Sequence, residues 1–365
     1  MFIAFPPRLL HAFAILLLII SGSVALAQHD SSDPGGSVSG GRPSRRSTSA
    51  DIHYQQAEAL YSAHKYREAL AAYLKAAQID PSMTSALYRI GWIYNELEEY
   101  SSAVDPLKRV LALQPNHAAG SFELGYAYKK LERLPEALAA FNQTIRIKPD
   151  YAGAHYQIGW IYNEQKKYDE AMKSLRLALI HNVKYAEAHN ELGYALKSTG
   201  SYSEAIEEYQ EAIRLKPNLG LAYLGLGDVY YYNTKQYEEA AKTYKQGLEL
   251  RPGNATAQYN LGWCYNDLSR YSEAVDELRK AIQLRPNYPE AHNELGYALH
   301  QLSRFAEAIQ QYQIAVQQKA DYASAHYNLG MSYLAMHNRN GALQQYRILQ
   351  RIDSARATRL FNQIK

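Results

Sequence analysis

Apolar residues follow a helical spacing along most of the chain. In residues 84–117, a first stripe recurs at i, i+3, i+4 and i+7, which is typical of one buried helical face. It consists of Leu87, Ile90, Gly91 and Tyr94. A second stripe follows Tyr100, and Pro115 ends it because proline disfavours a helical conformation in the residue before it. The pattern predicts two helices joined by a short turn.

This two-helix pattern repeats at a nearly constant interval. A glycine recurs every 34 residues, with one interval of 35, at positions Gly91, Gly125, Gly159, Gly193, Gly227, Gly262, Gly296 and Gly330. An alanine comes 12 residues after most of these glycines, and a proline comes 24 residues after it in several units. A pair of helices cannot bury its stripe alone, so the units must stack on one another. Nine units are predicted, at 50–83, 84–117, 118–151, 152–185, 186–219, 220–254, 255–288, 289–322 and 323–356.

The shared positions make the sequence resemble a tetratricopeptide-repeat protein over residues 50–365. The segments Leu124-Gly125-Tyr126-Ala127-Tyr128 and Asn260-Leu261-Gly262-Trp263-Cys264-Tyr265-Asn266 carry this resemblance. We therefore expect an all-α fold, a right-handed α-solenoid of nine helix-turn-helix units over residues 50–356. A capping helix is expected at 357–365, where the same apolar spacing recurs in Ala357, Leu360, Phe361 and Ile364. The closing proline is replaced in three units, by Val183, Ala320 and Ser354.

The N-terminal residues differ in composition from the repeats. Residues 1–27 have the features of a secretory signal peptide, with an apolar stretch after Arg8 and the small-x-small site Ala25-Leu26-Ala27. The alternative is an uncleaved anchor, because roughly 20 apolar residues are enough to cross a bilayer. Residues 28–49 are rich in Ser, Gly, Pro and Arg and are expected to form a disordered linker. We expect an exported protein, periplasmic or secreted, with no stable membrane span after cleavage.

Charge and cysteine content exclude several function classes. The chain has 39 Lys and Arg against 36 Asp and Glu, which gives no electrostatic reason to expect a nucleic-acid partner. Its one cysteine, Cys264, excludes an intrachain disulfide, and we expect it to be a small buried residue. Four histidines share position 4 of their units, too far apart to bind one metal ion, and are expected in the core: His155, His189, His292 and His326. No catalytic motif is present, so neither an enzyme, a metal site nor a cofactor is expected.

A second stripe of each first helix is a candidate for binding. The resemblance implies that the first helices line a concave groove that binds an extended segment of a partner. Positions 5, 9 and 12 of each unit are spaced by four and three residues and share one helical face. Position 9 supplies aromatic rings and position 12 supplies polar side chains. In one kind of unit a tryptophan at position 9 is combined with an asparagine at position 12. In the other kind a tyrosine at position 9 is combined with a lysine or a histidine at position 12. The candidate groove residues are Trp92, Tyr126, Trp160, Tyr194, Trp263, Tyr297, Asn95, Lys129, Asn163, Lys197, Asn266 and His300.

The aromatic rings at position 9 have two interpretations. They pack against the neighbouring unit, because solenoid interfaces need large side chains, or they form a ladder that faces a ligand. The leading hypothesis is a non-catalytic scaffold that binds an extended peptide or partner-protein segment. The alternative is a carbohydrate-binding scaffold linked to polysaccharide export, in which sugar rings stack on the ladder.

Overall fold

The computed structural model describes residues 48–365, and every regular element within this range is helical. The predicted signal peptide and nearly all of the predicted linker lie outside the described residues. The first helix begins at Ser49, where Thr48 and Asp51 form a reciprocal cap: the Thr48 hydroxyl accepts from the Asp51 amide, and the Asp51 carboxylate accepts from the Thr48 amide. Such a cap satisfies amides that have no partner inside the helix.

The helices form nine successive pairs in the described part of the chain. The first helices are α1 (Ser49–Ser62), α3 (Thr84–Glu96), α5 (Ala118–Lys130), α7 (Ala152–Glu164), α9 (Ala186–Thr199), α11 (Gly220–Asp228), α13 (Ala255–Asp267), α15 (Pro289–Gln301) and α17 (Ala323–Ala335). The second helices are α2 (Tyr66–Ile79), α4 (Tyr100–Leu113), α6 (Leu134–Ile147), α8 (Tyr168–His181), α10 (Tyr202–Leu215), α12 (Tyr237–Leu250), α14 (Tyr271–Leu284), α16 (Phe305–Gln318) and α18 (Arg339–Ile352). The all-α solenoid predicted from the repeat is confirmed. Its right-handed twist stays a prediction.

The second helices end at the same position of the unit whether or not proline follows. Helix α4 ends two residues before Pro115. Helices α8 and α16 end two residues before Val183 and Ala320, which replace the proline. The contacts of the stacked units therefore set the end of the helix, and proline only reinforces it.

The turn inside each unit depends on one residue in the left-handed conformation. Gly200 occupies this position in the fifth unit, with φ of 90°. In the other eight units a non-glycine residue with φ between 55° and 60° takes its place: His64, Glu98, Glu132, Lys166, Lys235, Ser269, Ser303 and His337. This conformation is unfavourable for residues with a Cβ atom, so packing of the flanking helices must hold the turn in place.

The predicted apolar stripes form the core. Leu87, Ile90 and Gly91 of α3 are buried, and Gly91 packs against Leu107 of α4. A Cβ atom on Gly91 would lie 2.4 Å from Cγ of Leu107, so this position requires glycine for the helices to approach. Equivalent contacts continue from pair to pair along the chain.

The sixth unit contains the extra residue of the 35-residue interval. Helix α11 continues into a π-helical turn, Val229–Asn233, before the chain reaches α12. A π-helical turn holds one residue more than the equivalent α-helical turn. The insertion is therefore accommodated inside the first helix rather than in a loop.

A lone helix, α19 (Ser354–Ile364), follows the ninth pair. It begins three residues before the predicted capping helix, with Asp353 accepting a hydrogen bond from the Arg356 amide. Leu360 is buried and packs so closely on Gly330 that a Cβ atom there would lie 2.6 Å from its Cδ2 atom. Helix α19 thus covers the apolar face of the ninth unit.

Several first helices also contact the first helix of the next unit, as α3 does with α5 and α13 with α15. Successive second helices in the described part of the chain have no comparable contact with one another. The first helices therefore lie on the inner side of the curved stack, and we call the surface formed by their positions 5, 9 and 12 the inner face.

Candidate functional site

The rings at position 9 differ in how far they are buried. Trp92 is only 8% exposed and meets Tyr61 and Tyr66 edge-on, with ring centres 5.2 and 5.8 Å apart. Tyr194 is 39% exposed. The remaining four rings are partly buried: Tyr126, Trp160, Trp263 and Tyr297. Interface packing therefore accounts for Trp92, whereas the other rings keep accessible surface on the inner face.

The tyrosines at position 9 pack in a regular way against the preceding unit. The ring of Tyr126 lies 6.2 Å from that of Tyr100, and the ring of Tyr297 lies 6.1 Å from that of Tyr271, both nearly perpendicular. Edge-to-face pairs of this kind stabilise an interface. Each of these two tyrosines thus packs on the preceding unit while part of its ring stays accessible.

The tryptophan of the seventh unit lies in an aromatic cluster. The Trp263 ring is 5.3 Å from Tyr231, 6.1 Å from Tyr232 and 5.6 Å from Tyr259, measured between ring centres. Tyr231 and Tyr232 come from the π-helical turn of the preceding unit. This turn therefore helps to build the inner face.

The asparagines at position 12 lie in the interfaces between units. The Nδ2 groups of Asn95, Asn163 and Asn266 each donate to a glutamate of the next first helix, both to its backbone carbonyl and to its side chain. All three side chains are buried, and their Oδ1 atoms accept no hydrogen bond. The amides therefore hold carboxylates in place, and direct contact of these asparagines with a ligand stays a prediction.

The basic residues at position 12 are bound within the molecule. The Nζ atom of Lys129 donates to Oε1 of Gln157 at 2.6 Å and lies 4.2 Å from the centre of the Trp160 ring. Burial, together with the neighbouring Lys130, lowers the pKa of Lys129 to about 8. Lys197 forms an ion pair of 2.9 Å with Asp228 of the sixth unit.

His300 takes the same position in the eighth unit. Its Nδ1 atom lies 2.8 Å from Oγ of Ser332 in the next unit, and burial lowers the pKa of its imidazole. Each cation-forming side chain predicted at position 12 thus already has a partner in the fold.

The glutamates that accept from the asparagines are site residues that the sequence reasoning missed. They are Glu123, Glu191 and Glu294, at position 6 of the third, fifth and eighth units. Burial raises the pKa of Glu191 and of Glu294. The available signal was the spacing, because each glutamate follows its asparagine by 28 residues.

The histidines at position 4 and Cys264 are structural, as expected. All four histidines are buried, and the Nε2 atom of each lies within hydrogen-bond distance of the backbone carbonyl six residues earlier. Cys264 is fully buried, which raises the pKa of its thiol. The described residues hold no group of three or more potential metal ligands, and none of their helices has the length and apolar character to cross a membrane.

Family profiles match most of the repeat region. A profile described as "Tetratricopeptide repeat" matches residues 54–118, 122–184 and 224–289, which together make up more than half of the chain. A profile described as "TPR repeat" matches residues 193–233 and 296–336, and a further tetratricopeptide-repeat profile matches residues 277–310. A comparison with curated proteins found no match.

Several solved structures are similar to this chain. The Cut9-Hcn1 hetero-tetramer of the APC/C is 19% identical, covering 78% of this chain and 56% of that one with a TM-score of 0.51. The pilF protein of Pseudomonas aeruginosa is 21% identical, covering 58% of this chain and 96% of that one with a TM-score of 0.50. YrrB, described as a TPR protein with an unusual peptide-binding site, is 26% identical, covering 52% of this chain and 97% of that one with a TM-score of 0.48.

Proposed function

Because the chain belongs to the tetratricopeptide-repeat family, we propose that it is a non-catalytic scaffold that holds an extended peptide or partner-protein segment against its inner face. Solenoids of stacked helix pairs present long curved surfaces suited to protein interaction. The bound segment would lie across several first helices, so that each unit contributes a few side chains.

The observation that carries this proposal is the partial exposure of the rings at position 9. Tyr194 is the most exposed of them, and Tyr126 and Trp160 in the two units before it keep accessible surface. Large exposed aromatic side chains are characteristic of binding surfaces, since they bury much area with little loss of side-chain entropy. Polar groups at positions 6 and 12 beside the rings can supply hydrogen bonds to a peptide backbone.

The spacing of the units suggests the length of the ligand. Three consecutive accessible rings, those of Tyr126, Trp160 and Tyr194, span on the order of 16–20 Å at about 8–10 Å for each unit. About five or six extended residues at roughly 3.3–3.6 Å each cover this distance. We therefore propose an extended segment of that length as the minimal ligand.

Binding of the full chain to a peptide array and to a glycan array tests this proposal. The groove variant combines Trp160→Ala with Tyr194→Ala. Its matched control is Ile180→Ala on α8, a second helix, where the side chain is 73% exposed. We expect peptide signals that the groove variant loses and the control keeps. Binding to glycans alone, lost in the same variant, would favour the carbohydrate scaffold, and signals equal in all three proteins would contradict inner-face binding.

We also propose that the protein is exported, on the basis of the predicted signal peptide and its Ala25-Leu26-Ala27 site. The partner would then be a periplasmic or secreted protein.

A further inference from the structure

Two unit interfaces carry the same arrangement around a partly buried glutamate. In Glu191, Oε2 accepts from Nδ2 of Asn163 at 3.0 Å and Oε1 accepts from Nδ2 of Asn190 at 3.4 Å. In Glu294, Oε2 accepts from Nδ2 of Asn266 at 3.2 Å, and Oε1 accepts from Nδ2 of Asn293 at 3.0 Å. Both oxygens of each carboxylate are therefore fixed in orientation by amide groups.

A tryptophan and a second acidic residue lie beside the asparagine that binds each glutamate. Trp160 and Glu164 flank Asn163 on α7, and Trp263 and Asp267 flank Asn266 on α13. Residues at i, i+3 and i+4 lie on one helical face, so the ring, the amide and the acidic side chain are neighbours. Each interface thus combines two carboxylates with an aromatic ring, a combination suited to a cation.

The two interfaces differ in the residue that the preceding unit contributes from position 12. At the fourth and fifth units this residue is Lys129, whose Nζ atom lies over the Trp160 ring. At the seventh and eighth units it is Tyr231, which packs on Trp263 and donates a hydrogen bond to Asp267 at 2.5 Å. Position 12 therefore contributes a cation to the first interface and a neutral phenol to the second.

The carboxylates of the second interface have no basic partner in the fold. Within residues 48–365, neither Glu294 nor Asp267 forms an ion pair with a lysine, arginine or histidine. The Oδ1 atom of Asn266, a side chain that is 4% exposed, also accepts no hydrogen bond. Glu294 is partly buried, whereas Asp267 is exposed. A partly buried carboxylate without a cation is unfavourable for stability, and a cationic ligand beside Glu294 would relieve this cost.

From this difference we infer that the interface of the seventh and eighth units binds an arginine side chain of the partner segment, between Glu294, Asp267 and the Trp263 ring. This inference rests on the proposed peptide-binding function and specifies its chemistry. A planar guanidinium can stack on an aromatic ring while its N–H groups donate to two carboxylates. The Lys129–Trp160 contact is the intramolecular counterpart of this arrangement. The third asparagine–glutamate pair is not an equivalent site, because Phe122 replaces the second asparagine there and Trp92 is buried.

The three tryptophans of the chain provide a separate signal for each interface. With ¹⁵N-labelled indole groups, Trp92, Trp160 and Trp263 give three N–H signals in the NMR spectrum of the full chain. The probe is a nine-residue peptide of alternating Gly and Ser with one central arginine. The control peptide carries citrulline, which has nearly the same shape but no charge. We expect the arginine peptide to shift the Trp263 signal, and the citrulline peptide to bind at least about tenfold more weakly, the scale of a charge-assisted hydrogen bond.

Variants of both interfaces sharpen this test. Glu294→Gln should reduce the affinity for the arginine peptide by about tenfold or more. The matched variant Glu191→Gln should leave the response of the Trp263 signal to this peptide unchanged. Lys129→Ala should make the Trp160 signal respond as well, because the internal cation has been removed. The signal of buried Trp92 reports whether each variant is folded.

Each other outcome overturns the inference. Equal shifts from the two peptides would reject the arginine site while leaving peptide binding on the inner face intact. An unchanged Trp263 signal would reject the site, and the array experiment would then decide separately whether any peptide binds the inner face.

Discussion

A Cβ atom on Gly159 would lie 2.5 Å from Cγ of Leu175. The two helices of the fourth unit therefore pack directly against each other at this position, because glycine has no side chain to separate them. Substitution Gly159→Leu should force these helices apart. We expect a loss of at least about 1–3 kcal/mol in the free energy of unfolding, measured by urea denaturation. Gly253→Ala is the control, because a Cβ atom there meets no atom within 4 Å. Equal stability of both variants would contradict this account of the contact.

The tryptophans at position 9 should separate a packing role from a binding role. Trp92 is buried, so Trp92→Ala should reduce stability by about 3–5 kcal/mol, as large aromatic truncations in a core do. Trp160 is partly exposed, so Trp160→Ala should reduce stability by a smaller amount. It should also weaken the binding of a peptide identified on the array by about 1–3 kcal/mol. Thermal melts and binding titrations measure the two effects. Unaltered binding in Trp160→Ala would remove this residue from the proposed ladder.

Helix α19 should be needed to keep the last unit soluble and folded. Leu360 is fully buried against the ninth unit, so Leu360→Ala should lower the free energy of unfolding by about 2–5 kcal/mol. Deletion of residues 354–365 should expose this apolar face and increase light scattering. Arg359→Ala, on the exposed side of the same helix, serves as the control. A deletion variant that neither aggregates nor loses stability would show that α19 is not a cap.

Lys129 should make stability depend on pH in the alkaline range. Burial lowers its pKa to about 8 from an ordinary value of 10.5, so the unfolded chain binds this proton more tightly than the folded one. The contribution of Lys129 therefore makes the free energy of unfolding increase with pH between these two values. Compared with Lys129→Met, the wild type should gain stability as pH increases from about 8 to 10.5. Urea denaturation at several pH values measures the difference, and a constant difference would disprove the burial of the charge.

The mature N-terminus should reveal the cleavage site. If the signal peptide is removed after Ala27, Edman sequencing or mass spectrometry of the exported protein should find Gln28 as the first residue. An intact Met1 in the membrane fraction would instead support the uncleaved anchor.

The fold could be predicted from local spacing, because the contacts that define it lie within one unit. Gly91 and Leu107 belong to the same pair of helices, and their small-to-large contact follows from the repeat. The prediction that Cys264 is a buried apolar residue is confirmed for the same reason. Helix α19 begins three residues before the predicted capping helix.

The surroundings of the candidate site were harder to predict, because they depend on contacts between units. The hydrogen bond from Asn163 to Glu191 joins position 12 of one unit to position 6 of the next. The period of the sequence does not determine which residues of successive helices meet, so position 12 was predicted to face a ligand. Likewise, the 35-residue interval does not determine whether the extra residue lies in a loop or in the π-helical turn of the sixth unit.

The π-helical turn has a consequence for how the solenoid unfolds. In a linear array each unit is stabilised by its own helices and by its two neighbours, so a distinct unit in the middle limits cooperativity. Leu226 and Val229 pack in the apolar cluster that extends toward the N-terminus, whereas Leu224 and Tyr231 pack in the one that extends toward the C-terminus. Helical turns with π geometry are rare, and this one interrupts the regular pairing of α-helices along the array. Heat or denaturant should therefore separate the array into two blocks at the sixth unit, each melting over its own range.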